Sequence, residues 1–120
     1  MMSSVDAVLR DLLRYEEILG AVAINTEGLV MGRAGIDASD ADVAGAMGAA
    51  LVGATVRTAR RLGAGLARVL SVSTPDGLIH VHNAGPFAVI VFSEPCDIAA
   101  LEQICNDAVS QIGSLVQPAA

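Results

Sequence analysis

Two histidines and two cysteines are the side chains of this sequence whose types and spacing come nearest to a chemical site. His80 and His82 alternate in a segment that predicts a strand, so both imidazoles share one face and offer two nitrogens to a metal ion. No cysteine, aspartate or glutamate nearby in the sequence completes a ligand set. Cys96 and Cys105 have neither a metal-binding nor a redox spacing. We therefore expect no metal site, histidines on a partly solvated sheet face or under a helix, and reduced cysteines that serve packing.

Lysine is absent from the sequence, and its absence excludes several kinds of catalytic site. A Walker A loop, a Schiff-base enzyme and a protein kinase each depend on a lysine side chain. The segment Gly63-Ala64-Gly65 precedes a predicted strand instead of following one and lacks a third glycine, so it does not fit a dinucleotide-binding loop. Most acidic residues fall at the ends of predicted elements, where caps and solvated turns explain them. The sequence predicts no catalytic residue, no cofactor and no enzymatic activity.

The composition argues against nucleic acid and membrane as partners. The chain has a net charge of −6, and one tyrosine and two phenylalanines are its only aromatic residues. Binding to phosphate backbones or anionic lipid relies on basic side chains, and single-stranded nucleic acid needs aromatic platforms. The longest uncharged helical run, Val43 to Val56, is too short and too rich in glycine to span a bilayer. We expect a cytoplasmic protein without membrane insertion.

Arg57, Arg60 and Arg61 form the basic cluster of an otherwise acidic chain, with Arg68 shortly after. One interpretation is that they compensate the negative C-terminal end of a helix and aid solubility. The other is that they form a docking patch for an acidic surface of a partner protein. Both interpretations stay open at the level of the sequence.

The periodicity of apolar residues predicts eight elements in the order α-β-β-α-β-β-β-α within a single domain, residues 1–120. Ser3 and Asp6 form a capping box at the first helix, Ser39 and Asp42 form another that opens the central helix, and Asp97 caps the last helix. The central helix runs from Ser39 to Leu62 and ends at Gly63. In the hairpins, Gly28 and Gly77 are expected to supply positive φ angles.

The fold class predicted from these elements is α+β, with a five-stranded antiparallel sheet covered by helices on both faces. The first and fifth strands are apolar on both faces, which is typical of central strands. The third strand then lies at one edge and the second strand at the other. The segment Ala67 to Ser73 carries neither an inward-pointing charge nor a proline, so the third-strand edge is unguarded and suggests pairing with another chain.

The central helix contains glycines at positions where glycine weakens a helix. Gly45, Gly48 and Gly53 together cost about 2 to 3 kcal/mol relative to alanine unless close contacts offset the loss. Rows of small residues permit such contacts, either with a second chain or with the helix's own sheet. We predict a dimer interface made of Gly45, Gly48, Ala49, Val52, Gly53, Val56, Val69 and Ser71. The alternative, that this surface lies flat on its own sheet, is compatible with the same pattern.

Taken together, the pattern resembles the roadblock/dynein light chain family, including bacterial members that regulate small Ras-like GTPases. The resemblance covers nearly the whole chain and rests on the strand pair Gly20 to Arg33 with its Thr26-Glu27-Gly28 turn, the small-residue helix Asp40 to Leu62, and the Pro75-Asp76-Gly77-Leu78 hairpin leading to Phe87–Val91. It implies a profilin-like sheet with the long helix on one face and the terminal helices on the other. It also implies homodimers or heterodimers that join their third strands and central helices, with dynein intermediate chains or Ras-like GTPases as partners.

Two functions therefore remain. The first is a non-catalytic dimeric adaptor or regulator that binds a small Ras-like GTPase or acts as a scaffold in a signalling, polarity or motility complex, with Arg57, Arg60 and Arg61 docking the partner. The alanine- and glycine-rich composition without lysine favours a bacterial source and hence the GTPase. The second is a sensor of the profilin, PAS or GAF-like class that holds a small ligand between sheet and helix, where His80, His82 and Asn83 are the available polar groups. A cavity with convergent polar groups would distinguish the two.

Overall fold

The computed structural model describes residues 3–116 and has the predicted element order. The first two residues and residues 117–120 of the predicted domain lie outside the described part. The elements are α1 (Ser4–Leu12), β1 (Ile18–Asn25), β2 (Val30–Ala34), α2 (Ala38–Arg61), β3 (Val69–Thr74), β4 (Gly77–Asn83), β5 (Phe87–Ser93) and α3 (Ile98–Val116).

The five strands form one antiparallel sheet in the order β2-β1-β5-β4-β3. Central positions for β1 and β5 are confirmed, and their residues are buried almost without alternation because both faces of the sheet are covered. In their shared register Val22 lies opposite Ile90 and Ala23 opposite Val89. The predicted edge positions of β2 and β3 are also confirmed.

The sheet separates two hydrophobic cores. On one face α1 and α3 pack against the strands, and that core includes Leu9, Cys105 and Ile112 from the helices. On the other face α2 covers the side chains of Val22, Ile24, Val81 and Ile90 and contributes its own Ala41 to that core. Neighbouring residues of one strand enter different cores because successive side chains of a strand point to opposite faces. The α+β architecture with helices on both faces is therefore confirmed.

The start of α1 follows the predicted capping box and also ties the helix to the sheet. The Ser3 hydroxyl accepts a hydrogen bond from the Asp6 amide at 3.0 Å, and the Asp6 carboxylate accepts from the Ser3 amide at 3.2 Å. The same carboxylate accepts from the Arg33 amide of β2 at 2.8 Å. Burial alone would raise the pKa of Asp6, but these hydrogen bonds outweigh it and lower the pKa below its usual value.

The start of α2 differs from the sequence prediction. The helix begins at Ala38 and its N-cap is Asp37, whose carboxylate accepts a hydrogen bond from the Asp40 amide at 2.8 Å. The predicted capping box of Ser39 and Asp42 is wrong, because Ser39 already lies within the first turn. An N-cap residue needs an extended backbone, and Asp37 has it, with φ −74° and ψ 165°.

The two hairpin glycines serve different purposes. Gly28 has the predicted positive φ, 85°, in the turn between β1 and β2. The prediction for Gly77 is wrong, since Gly77 is not among the described residues with positive φ and already belongs to β4. It must be small for another reason, because a Cβ atom there would collide with the carbonyl oxygen of Ser93 on β5.

Candidate interaction surface

The inner side of α2 explains two of the helical glycines. A Cβ atom on Gly45 would lie 2.6 Å from the carbonyl oxygen of Gly28 and 3.1 Å from Cγ2 of Ile24, and one on Gly48 would collide with the end of the Ile90 side chain. Both glycines are buried. Close approach of α2 to its own sheet therefore accounts for Gly45 and Gly48. For these two glycines this agrees with the alternative interpretation, in which the small-residue surface lies flat on the helix's own sheet.

The opposite side of α2 is an exposed apolar stripe. It consists of Val43, Met47, Ala50, Leu51 and Ala54, all of which are exposed. At 3.6 residues per turn these positions fall within a sector of about 100°. Val43 is 58% exposed and Met47 is 63% exposed. A row of large apolar side chains facing water on a helix that is already seated on its sheet is typical of a surface that binds another protein.

The edge strand β3 presents a second exposed feature. β3 pairs with β4 on one side and lies at the end of the sheet, so within residues 3–116 its other side carries backbone donors and acceptors without a strand neighbour. Val69 and Ser71 are half-buried on β3, and Val72 is exposed. A narrow crevice lined by residues that include Val52, Val56 and Val69 separates β3 from α2. None of the stripe residues lines this crevice, so the β3 edge lies beside the flank of α2 that carries Thr55 and Val56, and the stripe lies on the outward side of the helix.

The C-terminal end of α2 carries the basic cluster. Arg57, Arg60 and Arg61 are exposed there, and two exposed leucines follow in the connection to β3, Leu62 at 76% and Leu66 at 60%. The three arginines do not share one face. At about 100° per residue Arg61 continues the stripe, whereas Arg57 and Arg60 lie on the flank that also contains Gly53. Consistent with this, a Cβ atom on Gly53 would meet only Nη1 of Arg57, at 3.2 Å.

A cavity of about 310 Å³ lies between the second half of α2 and the ends of β1 and β5. Its walls are mainly apolar, and Asn25, Asn83 and Arg60 supply polar groups. The amide of Asn83 donates to the Ala67 carbonyl at 3.0 Å and its oxygen accepts from the Gly85 amide at 3.1 Å. The Asn25 side-chain oxygen accepts from two amides of its own turn. These asparagines hold loops in place, so the cavity lacks the convergent polar groups of a ligand site.

The histidines lie on the other face of the sheet, under α3 and away from this cavity. His80 is fully buried, and its Nδ1 lies 2.8 Å from the Ser71 hydroxyl, while its Nε2 is buried without a hydrogen-bond partner in residues 3–116. The ring centroids of His80 and His82 are 6.4 Å apart. In the described part of the chain no group of three or more histidine, cysteine, aspartate or glutamate side chains could hold a metal ion.

Burial also governs the ionisation of these side chains. It lowers the pKa of His80, with a further lowering by His82 and an opposing effect of Glu102, and it lowers the pKa of His82 against the effect of Glu102. Burial is the main cause that raises the pKa of the Cys105 thiol to about 12, with smaller contributions from the nearby Cys96 and Glu102. A thiol that stays protonated at neutral pH is a poor nucleophile. Cys105 is therefore a packing group of the core under α3, and the half-buried Cys96 packs against the same core.

The predicted interface residues are not all brought together. Ala49 and Val52 pack against the α2-side core, as Gly45 and Gly48 do, whereas Gly53, Val56 and Val69 are half-buried near the side that faces β3 or the cavity. The sequence analysis missed Val43, Met47 and Leu51. The signal was present, because apolar residues recur on two opposite sides of α2, and the side with buried glycines must be the one that approaches the sheet.

Within residues 3–116 no helix is long and apolar enough to cross a bilayer.

The family of this fold follows from comparison with known proteins. A family model described as Roadblock/LC7 domain matches residues 4–93. The chain belongs to the Roadblock/LC7 family. The remaining C-terminal part of this roadblock domain consists mainly of α3, which completes the core that α1 shares on the same sheet face.

Relatives and solved structures agree with this assignment. The uncharacterised protein MJ0310 of Methanocaldococcus jannaschii is 30% identical over 90 residues, which cover 75% of this chain and 79% of that protein. A Roadblock/LC7 domain from Streptomyces avermitilis superposes with a TM-score of 0.90 at 23% identity, covering 97% of this chain and all of that one. MglB of Myxococcus xanthus superposes with a TM-score of 0.85 at 13% identity, covering 94% of each chain. The two structural matches show that the fold is shared.

Proposed function

We propose that this roadblock domain is a non-catalytic, dimeric adaptor that binds a small Ras-like GTPase and regulates it or positions it in a signalling, polarity or motility complex. The observation that carries the proposal is the edge of β3, which has no strand neighbour within residues 3–116 and lies beside the flank of α2 that carries Thr55 and Val56. The free thiols of Cys96 and Cys105 suit a reducing, cytoplasmic setting.

The dimer uses that side of the molecule in two ways. Antiparallel pairing of β3 with β3 of a second copy satisfies the backbone groups at the sheet edge and continues the sheet across the two-fold axis. The same symmetry places the two α2 helices side by side on one face of the continued sheet, so that the flank of α2 nearest β3, with Thr55 and the adjoining Leu51, approaches the second copy. Val69, Ser71 and Val56 lie at the border of this interface, while Gly45 and Gly48 support it indirectly by seating α2 on its sheet.

The oligomeric state is tested by light scattering coupled to size exclusion. The wild-type chain is expected at twice its mass of 12.2 kDa, and Leu51→Asp is expected to shift it toward the monomer. Leu29→Asp is the matched control, because Leu29 is 61% exposed but lies in the turn between β1 and β2. A monomeric wild-type chain contradicts the dimer, and so does equal behaviour of the two variants.

The partner proposal rests on the family and on the flank of α2. Bacterial roadblock proteins include regulators of Ras-like GTPases, and MglB is among the structures with the same fold. Arg57 and Arg60 concentrate positive charge on a flank that the stripe leaves free, and Arg61 and Arg68 extend it. Such a patch recruits an acidic surface and increases the rate of encounter.

Adding a Ras-like GTPase of the same organism, loaded with either GDP or a GTP analogue, tests this step. The dimer is expected to gain mass with one nucleotide state, and Arg57→Ala with Arg60→Ala is expected to weaken that complex while the dimer persists. Arg10→Ala, at an exposed position on α1 on the opposite sheet face, is the control for loss of charge. A dimer that binds the GTPase in neither state would contradict the GTPase partner and favour a heteromeric scaffold. The ligand-sensor reading has less support, since His80 and His82 face α3 and Asn83 faces the cavity.

A further inference from the structure

The cavity between the second half of α2 and the ends of β1 and β5 has the properties of a socket for one apolar side chain. Its floor consists of Ile24, Phe87 and Ala88, all of which are buried. Leu66 also lines the cavity, although its side chain is 60% exposed. A leucine that faces water at the mouth of an apolar cavity is typical of a binding surface. At about 310 Å³ the cavity lies at the lower limit of pockets for whole small-molecule ligands, and this size suits a single side chain better.

Positive charge at the rim sets a second requirement for the occupant. Arg60 is the charged residue among those that line the cavity. Gly53 is part of the wall, and Nη1 of Arg57 lies 3.2 Å from the position that a Cβ atom on Gly53 would take. Glu27 follows the lining residue Thr26 in the β1–β2 turn but does not itself line the cavity. Two guanidinium groups therefore stand at the rim, where they attract carboxylates that lie next to an inserted side chain.

The mouth of the cavity lies away from the edge strand. Thr55 lines the crevice beside β3, whereas Gly53 lines the cavity. At about 100° per residue these two positions are about 160° apart around α2, and Arg60 lies on the same flank as Gly53. Pairing of two copies through β3 therefore leaves the cavity of each copy open to another protein.

We propose that this cavity is a socket for a segment of a partner protein in which one apolar side chain, such as leucine, is flanked by acidic residues. The apolar side chain enters the cavity and contacts Leu66 and Phe87, while the neighbouring carboxylates pair with Arg57 and Arg60. A single anchor in a dry pocket surrounded by polar contacts is a common source of binding energy at protein interfaces. The inference rests on the adaptor function proposed above and names the chemistry of the partner's surface. It also gives a reason for the glycine at position 53, where a larger residue would narrow the cavity.

Two synthetic peptides test the socket without a partner protein. Each has Asp-Glu before and Glu-Asp after a central residue, which is leucine in one peptide and alanine in the other. Amide chemical shifts of the full chain, measured by NMR, report binding. The leucine peptide is expected to shift the amides of Gly53, Leu66 and Phe87, and the alanine peptide is expected to have a dissociation constant about tenfold higher, because alanine buries less apolar surface.

The peptide titration can overturn the proposal in three ways. The first is a leucine peptide that leaves these amides unshifted at millimolar concentration, and the second is equal affinity of the two peptides. Decanoate, an apolar chain with one carboxylate, is titrated in parallel. If decanoate shifts the amides and the leucine peptide does not, the site takes a small molecule and the proposed occupant is wrong.

Variants of the chain locate the binding. Gly53→Leu fills the cavity and is expected to raise the dissociation constant of the leucine peptide at least about tenfold. Ala99→Leu adds the same side chain at an exposed position of α3, on the other sheet face, and should leave it within about twofold of wild type. Arg60→Glu is expected to raise it about tenfold, and Arg61→Glu, which lies off the rim, by about threefold or less.

Circular dichroism checks that each variant is folded, and if Gly53→Leu were unfolded, the two arginine variants would decide. Equal effects of a variant and its control would overturn the socket. The GTPase experiment is scored separately. A GTPase that binds wild type and Gly53→Leu equally well would leave the adaptor function standing and refute the socket as its docking site. Peptide binding without GTPase binding would leave the socket standing and refute the GTPase as the partner.

Discussion

The glycines of α2 permit a quantitative test of how the helix is seated on the sheet. At Gly45 a methyl group would lie 2.6 Å from the carbonyl oxygen of Gly28, which belongs to the backbone of the β1–β2 turn, and 3.1 Å from Ile24. Neither neighbour moves easily, because the turn is held at a positive φ of 85° and Ile24 is buried. Overpacking of this kind costs about 1 to 3 kcal/mol.

Alanine also improves helix propensity by about 0.5 to 1 kcal/mol relative to glycine. For Gly45→Ala the two effects leave a net destabilisation of about 1 to 2 kcal/mol. Gly53→Ala in the same helix is the control. Its new methyl group meets only Nη1 of the exposed Arg57, at 3.2 Å, and the guanidinium can move away. We therefore expect Gly53→Ala to stabilise the fold by about 0.5 to 1 kcal/mol.

Urea unfolding followed by circular dichroism measures both free energies, at two protein concentrations so that any contribution of dimerisation is separated. The two variants should differ by about 2 to 3 kcal/mol. If Gly45→Ala were as stable as the wild type, direct seating of α2 on the turn would be refuted. If Gly53→Ala were the less stable variant, the small-residue flank would have to be a contact surface between chains.

Three further outcomes follow from the cores and the sheet edge. Asp6→Ala should lower the free energy of unfolding by about 1 to 2 kcal/mol, because it removes the capping box and the hydrogen bond from β2. Asp11→Ala, at an exposed position of the same helix, should change that free energy by less than about 0.5 kcal/mol in the same urea assay. The free energy of unfolding should fall as the pH drops below about 6.5, since His80 and His82 have lowered pKa values and the unfolded chain binds protons first. The slope is at most about 1.4 kcal/mol per pH unit for each histidine and should shrink in His80→Gln; an unchanged slope would exclude His80 as its source. Val72→Lys on the edge strand should weaken the dimer while the monomer stays folded, and an unaltered dimer mass at micromolar concentration would contradict pairing through β3.

The fold was largely accessible to sequence reasoning because its signals are local and repeated. The two-sided apolar patterns of β1 and β5 identified the central strands, and the first capping box located the start of α1. Two predictions at the ends of elements were wrong because tertiary contacts decided them. Asp37 and Ser39 are both competent N-caps, and the choice between them depends on where the chain turns away from β2. Gly77 resembles a turn glycine, but its role depends on Ser93, which is distant in sequence.

The candidate site was less accessible. The sequence by itself determined that α2 is apolar around most of its circumference, that its charges lie at its two ends, and that β3 lacks protection at the edge. It could not assign the sides of α2, because a row of small residues suits contact with the helix's own sheet as well as contact with another chain. Only the tertiary structure decided this. The side of α2 with Gly45 and Gly48 lies so close to the β1–β2 turn and to Ile90 that no Cβ atom fits there. Helical geometry then leaves Val43, Met47 and Leu51 on the opposite side, facing water.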